Sequence, residues 1–186
     1  VRKDKDYYDS TGGGLTVSGG EPLCQTEALK CLLSSAKREG FHTALETAAS
    51  VPASVFCEVL PTTDLVLFDL KCGDAEKLRK IVGGNLEVIL KNLSLAVQDA
   101  RVILRVPVIP GFNHTGEELE KILALSAQHG VKEADLLPYH LLGRNKYLQL
   151  GREYRYEERK ALKRSELEPY RELGKKYQIH VTIGGH

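Results

Sequence analysis

The sequence predicts an α/β protein built on a parallel sheet of about six strands, with helices packed outside it. Three observations predict that class. Short apolar runs alternate with stretches of helical periodicity, the pattern of βα units joined by short loops. One run, Leu65-Val66-Leu67-Phe68, is continuously apolar, as in a parallel strand covered on both faces. The 186 residues contain no internal repeat, low-complexity segment or linker, so a single domain over residues 1–186 is expected.

Taken in order, residues 1–14 read as the end of a helix and a glycine loop, and Leu15 to Ser18 as the first strand. From Pro22 a helix carries Leu29, Leu32, Leu33 and Ala36 on one stripe until Gly40 stops it. Phe41 to Thr47 is the second strand, and Ser50 and Pro52 open a short helix with Val55, Phe56 and Val59. Asp64 to Lys71 is the third strand. Helices over Asp74–Val82 and Asn85–Asp99 follow, split by Gly83-Gly84, the second with Leu86, Ile89, Leu90, Leu93 and Val97 on one stripe. Arg101 to Ile109 is the fourth strand, ended by Pro110-Gly111. Thr115 and Glu118 form a capping box for a helix bearing Leu119, Ile122 and Leu123. Ala134 to Leu137 is the fifth strand, with a long loop through Tyr154 after it. A charged helical region from Tyr156 to Tyr177 restarts near Pro169, and Ile179 to Ile183 is the last strand.

Composition narrows the class of function. The net charge is +1 and no basic stripe marks a nucleic-acid partner. No apolar run spans a bilayer and no signal-peptide pattern stands at Val1-Arg2-Lys3-Asp4, so a soluble, cytoplasmic protein is expected. Cys24, Cys31, Cys57 and Cys72 make no Cys-x-x-Cys pair, which favours buried free thiols over a metal site. The chain opens on Val and contains no Met, so it reads as the later part of a longer protein.

The chemistry concentrates where strands end. Leu15-Thr16-Val17-Ser18-Gly19-Gly20-Glu21-Pro22 is a strand, a glycine turn and a helix start, the setting in which parallel sheets place ligands. A phosphate loop would continue with Gly-Lys-Ser/Thr. Glu21 stands there instead, and a carboxylate beside backbone carbonyls suits a cationic amine. In a parallel sheet the other strand ends share this rim: Glu46-Thr47, Asp69 with Lys71, Arg105 and His140. Charge is costly at the ends of buried strands unless it is paired or used. Each residue also has a plainer reading: a solvated Glu21, an internal Asp69–Lys71 pair, a rim ion pair for Arg105 and a loop histidine for His140. His42, His114, His129, His180 and His186 form no ligand spacing.

Asp6-Tyr7-Tyr8 followed by Gly12-Gly13-Gly14-Leu15-Thr16-Val17-Ser18-Gly19-Gly20-Glu21-Pro22-Leu23 resembles the signature of glycyl-radical-enzyme activating enzymes of the radical S-adenosylmethionine (SAM) superfamily, the pyruvate formate-lyase activating type above all. The resemblance runs to the end of the chain. It implies a partial (β/α) barrel whose first βα unit is missing here, leaving the sheet open along one edge. Ser18, Gly19, Gly20 and Glu21 would then hold the amino group of SAM. Asp69-Leu70-Lys71 resembles the family's Asp-Leu-Lys, with Asp69 at a monovalent cation site beside the SAM carboxylate and Lys71 near the cofactor or the substrate glycine. Glu46-Thr47 stands where the family usually has Asp-Thr, whose oxygens also serve that cation; the longer Glu46 puts its direct coordination in doubt. Arg105 matches the arginine of the family's next strand and His140 a histidine on the adenosyl part of SAM. Gly143 and Lys146-Tyr147 continue the pattern.

The reaction this implies begins when a reduced 4Fe–4S cluster gives one electron to SAM. The 5′-deoxyadenosyl radical so formed takes a hydrogen from a glycine Cα in the loop of a partner, a glycyl radical enzyme, with flavodoxin or ferredoxin as electron donor. The cluster needs Cys-x3-Cys-x2-Cys, which the chain lacks, so its ligands are expected upstream and the 186 residues alone are expected to be inactive. Competing readings are a non-catalytic SAM- or peptide-binding half-barrel, a (β/α) enzyme using Asp69, Lys71 and His140 for acid–base chemistry, and an activase of anaerobic ribonucleotide reductase.

Overall fold

A computed structural model describes residues 1–141, 147, 149–151 and 159–185. Six strands form one sheet: β1 Gly14–Val17, β2 His42–Thr47, β3 Leu65–Asp69, β4 Arg101–Val108, β5 Glu133–Pro138 and β6 His180–Ile183. Their spatial order is their chain order, and every neighbouring pair is parallel. Sequential order with crossovers of one hand sends each connecting helix to the same face, the arrangement of a barrel that does not close. One face of the sheet is therefore covered by helices and the other left open.

The helices are α1 Lys5–Thr11, α2 Thr26–Arg38, α3 Ala53–Val59, α4 Ala75–Ile81, α5 Leu86–Asp99, α6 Gly116–Gln128, α7 Arg164–Leu167 and α8 Arg171–Lys176. Leu33, Phe56, Leu93 and Ile122 of the helices pack with Leu45, Val66, Phe68, Leu104, Val106, Leu136 and Ile183 of the strands, all buried, in one apolar cluster. Strand residues alternate between faces. The apolar run of β3 obeys this rule: Val66 and Phe68 are fully buried, whereas Leu65 and Leu67 are half-buried on the open face. Burial on both faces, expected from the run, is thus corrected.

Several helix boundaries also differ from the sequence reading. Pro22–Gln25 is a 3-10 turn and α2 begins after it, because Glu21 caps the turn through its own carboxylate. Leu32 is 45% exposed, off the stripe of Leu29, Leu33 and Ala36, and lies with Leu15 and Phe41 in a surface hollow on the β1 side. Residues 159–163 are not helical: the Leu162 amide donates to the Tyr139 carbonyl at 2.9 Å, drawing the chain along the end of β5. Only half of the expected capping box forms. The Thr115 hydroxyl accepts from the Glu118 amide at 3.2 Å, but the Glu118 carboxylate turns to Lys77 at 3.0 Å.

Two close approaches tie the sheet to its surroundings. A Cβ on Gly14 would lie 2.1 Å from the His42 carbonyl oxygen, which explains a glycine opening β1. At the foot of β2 and β3, Asp64 accepts from the Thr43 amide and hydroxyl, both at 2.9 Å, and from Lys37 at 2.7 Å. Burial alone raises the Asp64 carboxyl, and those hydrogen bonds outweigh it to hold the group below the usual carboxylate range.

Candidate functional site

Strand register assembles the polar rim. Asp69 pairs with Arg105, Arg105 with Asp135 and Asp135 with Thr182, so the four share one row across β3 to β6 on the open face. Glu46 shares that face through its register with Leu67. Glu46 is the connector: one carboxylate oxygen accepts from Arg105 at 2.5 Å and the other from the Ser18 hydroxyl at 2.7 Å. Lys71, two residues past Asp69, returns to it at 2.8 Å. Asp135 accepts from Thr182. The chemistry is therefore a ladder of alternating charge across adjacent strands, with the Glu46–Arg105 and Asp69–Lys71 pairs partly open to water and Asp135 buried.

Gly19 holds φ at 139°, a conformation that side chains with a Cβ rarely adopt. A Cβ on Gly19 or on Gly20 would meet nothing within 4 Å, so the turn's backbone faces open space. The Glu21 carboxylate does not point into that space alone. It accepts from the Leu23 amide at 3.2 Å, the Thr47 hydroxyl at 2.7 Å and the Ala48 amide at 3.1 Å. Thr47 in turn accepts from the Ala49 amide at 2.8 Å. Being next to Glu46 in a strand, Thr47 faces the helices and is only 3% exposed. The structure thus brings Ser18, Glu46, Asp69, Lys71 and Arg105 together, and places Thr47 on the other side of the sheet beneath Glu21. His140 follows the end of β5 and is exposed. Gly143 and Lys146 lie outside the described residues.

A cleft of about 130 Å³ opens beyond the ends of β2 and β3, lined by Ala48, Ser50, Asp69, Lys71, Val82 and Gly83 among others. Two buried asparagines hold its walls. The Asn113 side chain donates to the Lys71 and Pro107 carbonyls at 2.9 and 2.8 Å and accepts from the Ile109 amide at 2.7 Å. Asn92 donates to the Ala49 and Val51 carbonyls, each at 2.8 Å, and so supports Ala49 at a φ of 47°. Neither asparagine was singled out from the sequence, nor was Asp135. The signal was there: an amide on the apolar stripe of a helix, and a carboxylate inside an apolar strand, are expensive unless partnered.

All four cysteines are free, as expected, but only Cys72 is buried; Cys24, Cys31 and Cys57 are exposed, on the turn before α2, on α2 and on α3 respectively. Those three positions face outward because the apolar stripes of their helices run through Leu29, Leu33, Phe56 and Val59 instead. Among the described residues no group of three or more His, Cys, Asp or Glu side chains is placed to hold a metal. A 4Fe–4S cluster therefore does not fit the thiols of this chain. Among the described residues no helix is long and apolar enough to cross a membrane.

A parallel sheet in sequential order, with a glycine turn after one strand and a charged row across the others, defines an open (β/α) partial barrel with a polar ligand rim. The comparisons agree. The chain is 37% identical over 186 residues to the pyruvate formate-lyase 2-activating enzyme of Escherichia coli (strain K12), covering 100% of this chain and 64% of that protein. It is 38% identical over 176 residues to the 4-hydroxyphenylacetate decarboxylase activating enzyme of Clostridioides difficile (strain CD196), covering 93% of this chain and 55% of that one. Its structure superposes on a crystallised domain of a pyruvate-formate lyase-activating enzyme from Bacteroides vulgatus ATCC 8482 with a TM-score of 0.75 at 26% identity, covering 93% and 99% of the two chains. No family model matches the chain. By sequence and fold the chain belongs with the glycyl-radical-enzyme activating enzymes. It spans 55–64% of the length of these two curated relatives.

Proposed function

We propose that this chain is the SAM-holding portion of an activating enzyme that installs a radical on a glycine of a partner protein. The partner is a glycyl radical enzyme of the pyruvate formate-lyase kind, presenting its glycine loop as a peptide. In the whole protein a 4Fe–4S cluster would be held by thiolates other than the four of this chain, and a flavodoxin or ferredoxin would reduce it. Together SAM and the cluster supply one-electron cleavage of a sulfonium and hydrogen-atom abstraction from carbon.

The observation that carries this reading is the charged ladder beside an open glycine turn. Glu46 and Asp69 set two carboxylates against the cations Arg105 and Lys71 on the open face, with Asp135 in register beside Arg105. SAM carries an ammonium, a sulfonium and a carboxylate, so it arrives with one positive charge. Gly19 and Gly20 offer backbone to the ammonium, and Ser18 and Glu21 border it. Lys71 or Arg105 faces the SAM carboxylate, and His140 the adenosyl group. Asp69 and Lys71, at the mouth of the cleft, are the residues nearest the reacting end. Glu21 supports the turn from below: with three donors on its carboxylate, it fixes the loop that meets the amine.

Filling the open turn tests the reading. Gly20→Val puts a side chain where nothing stands within 4 Å, so the fold tolerates it while the ligand space is lost. Calorimetry on the full-length, cluster-loaded protein should show SAM affinity falling by about tenfold or more, a loss of at least ~1.4 kcal/mol. Unchanged affinity would remove SAM from the turn.

A further inference from the structure

We infer that Arg105 stands in for the monovalent cation that the family resemblance implies, and that this site needs no such ion. The inference rests on the SAM reading above and concerns how the same site balances its carboxylates. Four positions would supply oxygens to the ion: Glu46, Thr47, Asp69 and the carbonyl of Leu67. The side chains of Glu46 and Thr47 are spent or misdirected. Glu46 uses one oxygen on Arg105 at 2.5 Å and the other on Ser18 at 2.7 Å. The Thr47 hydroxyl lies across the sheet, donates to Glu21 at 2.7 Å and accepts from Ala49 at 2.8 Å. Leu67 sits within β3, whose backbone pairs with both neighbouring strands, so it offers at most the second lone pair of one carbonyl. Asp69 keeps one oxygen beyond the one that meets Lys71 at 2.8 Å. A hard cation takes several oxygen ligands, and one carboxylate oxygen with at most one strand carbonyl does not make a site.

The substitution has a steric cause. Glu46 occupies the position of a shorter acid, and the extra methylene lets its carboxylate reach sideways past Leu67 to the guanidinium on β4. Arg105 also pairs in register with Asp69 on one side and Asp135 on the other, so one fixed positive charge stands among three carboxylates. A guanidinium is always charged and more weakly hydrated than a small ion, which suits it to this half-buried place.

The test uses the full-length, cluster-loaded protein in sodium, potassium and choline chloride at one ionic strength. For the wild type, SAM affinity by calorimetry should agree within about twofold across the three salts, a spread of ~0.4 kcal/mol. The thermal midpoint measured without SAM should likewise be the same in all three. Arg105→Gln leaves Glu46 without its counter-charge, and its midpoint should rise saturably with sodium or potassium but not with choline. A wild-type affinity or midpoint that climbs saturably with either small ion would overturn the inference. So would an Arg105→Gln variant indifferent to the salt. Failure to bind SAM in any salt contradicts the proposed function instead, and leaves the thermal comparison to decide the role of Arg105.

Discussion

Replacing Glu21 by Gln changes one oxygen into an NH2 group, and the structure says what that does before any ligand is added. One carboxylate oxygen accepts from the Leu23 amide and the Thr47 hydroxyl, the other from the Ala48 amide. If the new amide nitrogen takes the second place, it faces the Ala48 N–H, donor against donor. If it takes the first, it faces the Leu23 N–H, and the Thr47 hydroxyl loses its acceptor while still receiving the Ala49 amide. Either orientation leaves a partly buried donor unsatisfied and removes a charge-assisted bond, together about 1–3 kcal/mol. For a domain of this size that is a fall in thermal midpoint of roughly 2–10 °C. Thermal unfolding followed by circular dichroism, without SAM, measures it. A variant whose midpoint stays within about 1 °C of the wild type would refute the supporting role of Glu21.

Three further outcomes follow from other parts of the fold. The Asp64 carboxyl is lower in the folded state than in the unfolded one. Its stabilisation is present above the unfolded value and lost as pH falls through the folded one, so Asp64→Asn should flatten the acid limb of a stability–pH curve from urea titrations. Gly174→Ala places a Cβ 2.3 Å from a Val181 methyl and 2.5 Å from the Ile179 carbonyl, where α8 meets β6; chemical denaturation should show a loss of about 1–3 kcal/mol. Cys24, Cys31 and Cys57 should react with a disulfide reagent in the native protein. Cys72, buried with its thiol pushed up by burial, should react only on unfolding.

The strands were legible because their apolar runs are short and bounded by glycine or proline, and the six of them lie close to where the sequence reading puts them. The strand-end row was legible for the same reason, since parallel strands must share one rim. What parity dictates was read less well. Glu46 and Thr47 are adjacent in β2, so they cannot serve one face, and Leu65 and Leu67 cannot share the burial of Val66 and Phe68. The Glu46–Arg105 pair joins residues 59 positions apart, and only the register of three strands brings them together. Gly14 falls in the expected glycine loop, yet the backbone that crowds it comes from His42 on the neighbouring strand. Residues 159–163 read as helix by composition, but a tertiary hydrogen bond from Leu162 to Tyr139 overrides that preference.

The central claim is that this rim holds SAM for reductive cleavage inside a longer activating enzyme. It is tested most directly by chromatography of the products formed when the full-length protein, its cluster rebuilt under anaerobic conditions, is incubated with SAM and dithionite. The account predicts 5′-deoxyadenosine and methionine from the wild type, and their loss in Gly20→Val while the cluster spectrum is retained. A cluster-loaded, reduced wild-type protein that leaves SAM intact, or a Gly20→Val variant that cleaves it at the wild-type rate, would contradict the account.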